Sequence, residues 1–345
     1  MLEVGKKIFE TEEILESLNE GVIALDREAK VTFANLVACK MLGVSCEKIV
    51  GQFLEQIGSD ELILECGELV LKVLQNGKPT AKTWIYGNRG RTILDLIAIP
   101  LMQQNGAILV LQDKTSDYKI VQMGKDFIAN ASHELRTPIT IIRGFAEMLP
   151  ELREEMQREV TEKIVRTCGR LEKLVKSLLI LSDMENFSEE TFRSCDLLAL
   201  AETCKHQLLA AYPKAQVTIS SKRKYSIIAD PDLLELALMN LLENAVRYSQ
   251  EPAQIQISIQ RIKNHVFLNV ADRGIGIPES DLPHIFDRFY TVDKARSRKS
   301  GGTGLGLSIV KTIVEKHKGE TKVSSRLRKG STFSLVFQIE KSQQN

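Results

Sequence analysis

KDFIANASHELRTPIT, residues Lys125 to Thr140, decides how the rest of the chain is read. Apolar residues recur every seven positions through and beyond it, at Val121, Ile128, Leu135, Ile142 and Leu149, the seam of a helix packed against other helices. That seam leaves His133 on the other side. Its neighbours at helical spacing are Asp126, Ala129, Asn130, Thr137 and Thr140, a polar stripe facing water, with the carboxylate Glu134 next in sequence. A zinc-protease helix would need a second histidine four residues on, and position 137 is Thr. Pro138, five residues after the histidine, removes an amide donor and presses its ring on the carbonyl of Glu134, so a kink is expected there.

The 345 residues are enough for two or three domains, and 43% hydrophobic residues suffice for packed cores. Lys plus Arg number 46 against 45 Asp plus Glu, so no global field draws the chain to nucleic acid or to an anionic membrane. Six cysteines without a C-x-x-C pair read as reduced, mostly buried thiols of a cytosolic protein. The longest apolar run, Ile93 to Met102, holds Asp95 and Pro100 and is too short for a membrane span; the acidic, polar N-terminus is no signal peptide. The chain reads as soluble and cytoplasmic.

Working outward, a second helix from Glu154 to Met184 places Ile164, Leu171 and Leu178 at one heptad position and Thr167, Leu174 and Leu181 at the other. Two such helices cannot hide both apolar faces alone, so residues 116–188 should pair as a hairpin with a second copy in a four-helix bundle, a homodimer. Before it, residues 10–115 give strands at Val22 to Leu25 and Val31 to Ala34, a helical stretch Asn35 to Leu42, and further helical segments up to Asn76-Gly77. Strand runs follow at Thr83 to Tyr86, Arg91 to Pro100 and Ala107 to Gln112, with turns at Gly87-Asn88-Arg89-Gly90 and Gln104-Asn105-Gly106. That order specifies a small α+β domain. No histidine occurs in residues 1–120, which argues against a His-ligated haem there.

After the hairpin, residues 192–341 give a helix Leu197 to Leu209, strands Gln216 to Ser220 and Tyr225 to Ala229, and a helix opened by Asp230-Pro231. Strands Ile255 to Arg261 and Val266 to Ala271 follow. Asn240 and Asn244 share one face of the Pro231 helix, where Asn is intrinsically unfavourable, which points to polar work in a cleft. Two glycine clusters come next, Asp272-Arg273-Gly274-Ile275-Gly276-Ile277-Pro278 and Gly301-Gly302-Thr303-Gly304-Leu305-Gly306-Leu307. Such clusters let backbone amides approach phosphates, and a helix starting at Leu305 would offer them its N-terminus. Neither cluster has the dinucleotide or phosphate-loop spacing.

Three resemblances follow from these residues. Ser132-His133-Glu134-Leu135-Arg136-Thr137-Pro138 closely resembles the phosphoacceptor box of bacterial sensor histidine kinases. NLLENAVRYS, DRGIGIP, IFDRFY and GGTGLGLSIV together resemble the four boxes of the ATP-binding domain that those kinases share with Hsp90 and gyrase. GVIALD, VTFAN and a last strand ending in Gln112-Asp113-Lys114-Thr115 are similar to PAS sensor domains. The chain is therefore identified as a member of the cytoplasmic, PAS-containing sensor histidine kinases of two-component systems. The implied architecture is multidomain α+β: a PAS-like domain, a helical hairpin forming a dimeric four-helix bundle, and an α/β sandwich that binds ATP.

The resemblance implies roles. His133 would be phosphorylated from ATP, with Glu134 orienting its ring, and would pass the phosphoryl group to an aspartate of a response-regulator receiver domain. Thr137 would help orient water in dephosphorylating that regulator. Asp272 would accept from the adenine amino group; Asn244 would bind Mg²⁺ through its carbonyl oxygen, with Asn240 beside it. Arg247, Tyr248, Gly274, Gly276, Ile277, Gly302, Thr303, Gly304, Leu305, Gly306 and Leu307 would line the nucleotide, and Thr291 to Ser300 would form a lid with Arg288 as a further cation. Two other readings stay open: an ATPase without histidine phosphorylation, whose relatives carry Glu where Asn240 stands, and a non-catalytic scaffold.

Overall fold

The computed structural model describes residues 14–58, 60–86, 92–101, 106–184, 187–221, 223–293 and 302–339. The expected turn at Gly87-Asn88-Arg89-Gly90 and most of the expected lid lie outside the described residues. Contacts cluster into two compact units, Met1–Asp126 and Phe127–Asn345.

In the first unit, β1 (Gly21–Leu25) and β2 (Val31–Ala34) lead into α1 (Leu36–Leu42), α2 (Cys46–Ile49), α3 (Leu54–Ile57) and the longer α4 (Glu61–Asn76). The meander β3 (Thr80–Tyr86), β4 (Thr92–Leu101) and β5 (Gly106–Asp113) completes a five-stranded antiparallel sheet of order β2-β1-β5-β4-β3. α4 is capped by the Asp60 side chain and by Gly77 in the left-handed region, and its buried stripe of Leu62, Ile63, Cys66, Leu69, Val70 and Val73 joins the sheet's core. The polar centre of the unit is Asn35, which is fully buried. Its Oδ1 accepts the Val22 and Ala38 N–H groups, each at 2.9 Å, and its Nδ2 donates to the Leu15 and Glu20 carbonyls at 2.9 and 2.8 Å. Every hydrogen-bonding site of the amide that burial would otherwise strand is engaged.

β5 ends in the Asp-x-Thr turn anticipated from the sequence. Asp113 accepts from the Thr115 N–H at 2.9 Å, and Thr115 Oγ1 accepts from the Ile93 N–H at 2.9 Å. Hydrogen bonds to its carboxylate from the Thr115 side chain and from the Thr115 backbone N–H hold Asp113 below the usual range. Helix α5 (Thr115–Met148) begins there and is helical through Pro138. The cysteine expectation needs correction: Cys39 and Cys46 are joined by a disulfide, and Cys168 is exposed, so only Cys66, Cys195 and Cys204 are buried free thiols. The two bonded residues lie on separate short helices that a turn folds together, a proximity that spacing along the chain does not reveal.

The second unit takes α5 from Phe127 onward, then α6 (Glu154–Asp183), the short β6 (Arg193–Asp196), α7 (Leu197–Ala211), β7 (Gln216–Ser221), β8 (Ser226–Ala229) and α8 (Pro231–Arg247). β9 (Gln254–Ile262), β10 (His265–Asp272), α9 (Gly306–Lys316), β11 (Glu320–Arg326) and β12 (Gly330–Gln338) follow. The main sheet has order β11-β12-β10-β9-β7, with only the β7–β9 pair parallel, and β6 pairs with β8 apart from it. Ile255, Ile257 and Ile259 of β9 and Val266, Leu268 and Val270 of β10 alternate into one buried face. α8 covers that face with Leu234, Ala237, Leu238, Leu241, Leu242 and Ala245. Leu174, Leu181 and Met184, at the end of α6 and just beyond it, belong to the same core, so the hairpin and the sandwich share one apolar interior.

His317 ties the end of α9 to the start of α8. It is buried, its Nδ1 donates to the Ile313 carbonyl at 2.7 Å, and its Nε2 accepts the Asp230 N–H at 2.9 Å. Phe192 stacks on the ring at 4.7 Å. The bond from Asp230 needs an unprotonated Nε2, and burial lowers the ring's pKa below 6.5, partly opposed by the Ile313 bond, Asp230 and Glu189. The unfolded chain therefore binds the extra proton first as pH falls, and stability is lost from about pH 6.5 down to the folded pKa, below which this contribution levels off. Thermal unfolding of wild type and His317→Gln across pH 5 to 8 should show a wild-type midpoint falling more steeply over that window. Parallel curves would remove His317 as the cause.

Candidate active site

A cavity of about 360 Å³ opens above the C-terminal half of α8. Asn240 and Asn244, one helical turn apart, both line it. Asn240 Nδ2 donates to the Leu236 carbonyl at 2.9 Å, which turns Oδ1 toward the first residue of α9. A Cβ at Gly306 would sit 2.9 Å from that oxygen, so glycine lets the N-terminus of α9 close on the cavity. Thr303 Oγ1 accepts the Leu305 N–H at 3.3 Å, and Leu305 is fully buried beneath the loop.

On the opposite wall, Asp272 ends β10. Its Oδ1 accepts the N–H groups of Gly274 at 2.7 Å and Ser331 at 3.3 Å. Burial raises its carboxyl pKa, and those two N–H groups only partly offset that. The glycines of this loop are set by contact as well as by φ. A Cβ on Gly274 would lie 2.5 Å from the Tyr248 carbonyl oxygen; Gly276 has φ +67, and a Cβ there would collide with the Arg326 carbonyl oxygen. Gly276, Ile277, Arg247 and Tyr248 line the cavity, as do Gly302, Thr303, Gly304 and Leu307.

Three of the residues expected around the nucleotide stand outside the lining. Leu305 and Gly274 shape the loops from behind the lining. Arg288 places its guanidinium 4.8 Å from the ring centre of Phe127 on α5, a cation–π contact between hairpin and sandwich. Of the expected lid, Thr291, Val292 and Asp293 line the cavity, and its other residues lie outside those described.

The cavity also takes residues that sequence reading missed. Lys173, Lys176, Ser177 and Ile180 of α6 line it, although they sit some 60 residues before the asparagines in the chain. Ser331, whose N–H holds Asp272, belongs to the GSTF run, but no local signal marks that bond. The donor set suits a hard cation brought in with phosphates: carboxamide oxygens at Asn240 and Asn244 and a carboxylate at Glu243, all at the same end.

His133 is exposed in the middle of α5 and is not part of the cavity lining. Thr137 Oγ1 donates to the His133 carbonyl at 3.2 Å. Glu134 faces Arg170 of α6 at 3.7 Å, and Arg170 also donates to the Gly302 carbonyl at 3.4 Å. One guanidinium thus links the carboxylate beside the histidine to the glycine loop of the cavity. Ile128, Val165 and Leu179 of the hairpin are 67%, 63% and 58% exposed, a large apolar surface for one hairpin to leave in water.

Comparison with known proteins gives three family matches: the histidine kinase-, DNA gyrase B- and HSP90-like ATPase over residues 229–341, the His Kinase A (phospho-acceptor) domain over 124–187, and the PAS fold over 10–113. Sensor protein kinase WalK of Staphylococcus aureus is 31% identical over 347 residues, covering 95% of this chain and 80% of that protein. WalK of Staphylococcus haemolyticus is 32% identical over 345 residues, but this chain spans only 55% of it. The chain thus spans about half the length of most of the curated relatives it matches. Among solved structures, histidine kinase ThkA in complex with response regulator protein TrrA shares the fold, with TM-score 0.52 and 22% identity over 96% of this chain and 99% of that one. Among the described residues, no helix is long and apolar enough to cross a membrane.

Proposed function

This chain belongs to the sensor histidine kinases, and from that premise we propose that it transfers the γ-phosphoryl group of ATP to His133 and then to an aspartate of a response-regulator receiver domain. The observation that carries the proposal is the cavity that gathers Asn240, Asn244, Asp272 and both glycine loops against the very hairpin that bears an exposed histidine. Asp272 receives the adenine amino group. Asn244, with Asn240 and Glu243 beside it, would hold Mg²⁺, which would supply charge neutralisation on the phosphates. The amides at the start of α9 and the cation of Arg247 take up the negative charge that remains.

His133 attacks phosphorus with one ring nitrogen, and Glu134 accepts the N–H of the other, which fixes the tautomer and stabilises the imidazolium that develops. In the present arrangement Glu134 faces Arg170 and the histidine stands away from the cavity, so the sandwich must move along the hairpin before transfer. The exposed apolar residues of the hairpin are covered by a second copy in a four-helix bundle. An ATP-dependent reaction of this kind needs a compartment that supplies ATP, which supports a cytoplasmic location for these domains.

The test is incubation of the purified protein with γ-labelled ATP and Mg²⁺. Acid-labile, base-stable label on the protein supports the proposal; free phosphate release with no bound label favours the simple ATPase reading. Thr137, one turn from His133, is assigned to orienting the water that dephosphorylates the regulator. Thr137→Ala should lower the rate of regulator dephosphorylation by about 10-fold or more, the scale of losing one positioned polar group, while labelling of His133 persists. An unchanged dephosphorylation rate would withdraw that assignment.

A further inference from the structure

Three cysteines are held as thiols by their surroundings. Desolvation, with Glu65 and Glu235 respectively adding to it, pushes Cys66 and Cys204 up to about 12, and burial raises Cys195 as well. Cys39 and Cys46 differ. Their Cα atoms are 5.5 Å apart and their sulfurs are bonded. Local structure builds this pair: Cys39 lies on the buried face of α1, and α1 stops at Gly43, whose φ of +67 reverses the chain. The Val44 N–H then donates back to the Cys39 carbonyl at 2.9 Å, and α2 opens with Cys46. Nothing lies within 4 Å of a Cβ at Gly43, so its backbone conformation alone calls for glycine.

The pair sits against the polar centre of the unit. The Cys39 N–H donates to the Asn35 carbonyl at 3.2 Å, and Cys46 Sγ lies 3.8 Å from the same oxygen. The Asn35 side chain in turn holds Leu15, Glu20, Val22 and Ala38. Closing or opening the sulfur bridge therefore acts on the residue that fastens the chain before β1 to the sheet. The two sulfurs are unequal: Cys39 is buried, whereas Cys46 is half-buried and within reach of a small reagent.

We propose that Cys39 and Cys46 form a reversible dithiol–disulfide site through which the first unit responds to low-molecular-weight disulfides. In the forward step the Cys46 thiolate attacks one sulfur of the small disulfide, whose S–S bond breaks and releases one thiolate. The Cys39 thiolate then attacks Cys46 sulfur and expels the second. Two electrons pass from the cysteines to the reagent, and the two cysteine protons end on the two released thiols. In reverse, an external thiol attacks Cys46. A compartment that supplies ATP for the proposed kinase keeps thiols reduced, and disulfides there are mostly transient, catalytic or redox-sensing.

The experiment equilibrates the purified full chain in buffers of graded reduced to oxidised glutathione ratio, quenches with acid, and maps alkylated cysteines by mass spectrometry. Cys39 and Cys46 should pass together between alkylated and bridged forms, while Cys66, Cys195 and Cys204 stay thiols. Hydrogen exchange at the Val22 and Ala38 amides, which are bonded to Asn35, should then be slower in the bridged form. Labelling of His133 should differ between the two forms by at least about 5-fold, the low end of coupling between sites, and the difference should vanish in Cys46→Ser. Cys39→Ala serves if that variant fails to fold. A pair that stays open at every ratio, stays bridged at every ratio, or switches with no change in exchange or labelling overturns the proposal. The labelling arm rests on the kinase reading. Absence of label in both forms counts against that reading, and thiol mapping with exchange then decides the redox site.

Discussion

His133→Gln should abolish protein-bound label from γ-labelled ATP while leaving nucleotide binding within about twofold of wild type. Glutamine can hydrogen-bond but offers no basic nitrogen to form a bond with phosphorus, so the transfer loses its nucleophile rather than a fraction of its rate. The binding half of the expectation comes from position: His133 is exposed on α5 and is not among the residues lining the cavity. Stability should move by no more than about 0.5 kcal/mol, as for exposed surface substitutions generally. The variant is therefore a clean separation of chemistry from binding. Label that persists would move the acceptor to another residue. Equal phosphate release by wild type and variant, with no label on either, would point to water as the acceptor.

The hairpin was legible because its signal is periodic and local: heptads in α5 and α6 and a polar stripe carrying His133 need no knowledge of the tertiary fold. The first unit was legible from short strand-like runs at β1, β2, β4 and β5 set between turn residues, and from Asp113-Lys114-Thr115 at the exit of its last strand. The asparagine pair could be read because Asn is costly inside a helix unless it has work there. What escaped depended on contacts distant in sequence. The cavity wall supplied by Lys173 and Lys176, the reach of Arg170 to both Glu134 and Gly302, and the placement of Arg288 on Phe127 arise where α5 and α6 meet the sandwich. Arg288 belongs to the IFDRFY box, and its motif gives no sign that the guanidinium lies over Phe127 of the hairpin. The Cys39–Cys46 bridge was missed because seven residues of separation carry no C-x-x-C signal; the turn at Gly43 does the joining.

Asp272→Asn should weaken ATP binding by about 100-fold or more, the range seen when a buried site built for one hydrogen-bonding pattern meets its opposite. The argument turns on which oxygen is engaged. Oδ1 already accepts the Gly274 and Ser331 N–H groups, so Oδ2 is the acceptor presented to a base. Asparagine has a single oxygen. To keep the loop it must leave that oxygen facing the two backbone donors, and its Nδ2 then points at the ligand. An adenine amino group would meet a donor with a donor, whereas a guanine carbonyl would meet a donor it can use. The substitution is nearly isosteric and keeps the bonds that shape the glycine loop, so the fold should survive and the ratio of ATP to GTP affinity should collapse. Titration calorimetry with both nucleotides measures this directly. Unchanged ATP affinity in a folded variant would show that Asp272 organises the loop without reading the base. Wild-type affinity should also decline on acidification: burial raises the Asp272 pKa, so it gains its proton at a higher pH than an exposed aspartate, and a protonated Oδ2 no longer accepts freely from an amino group.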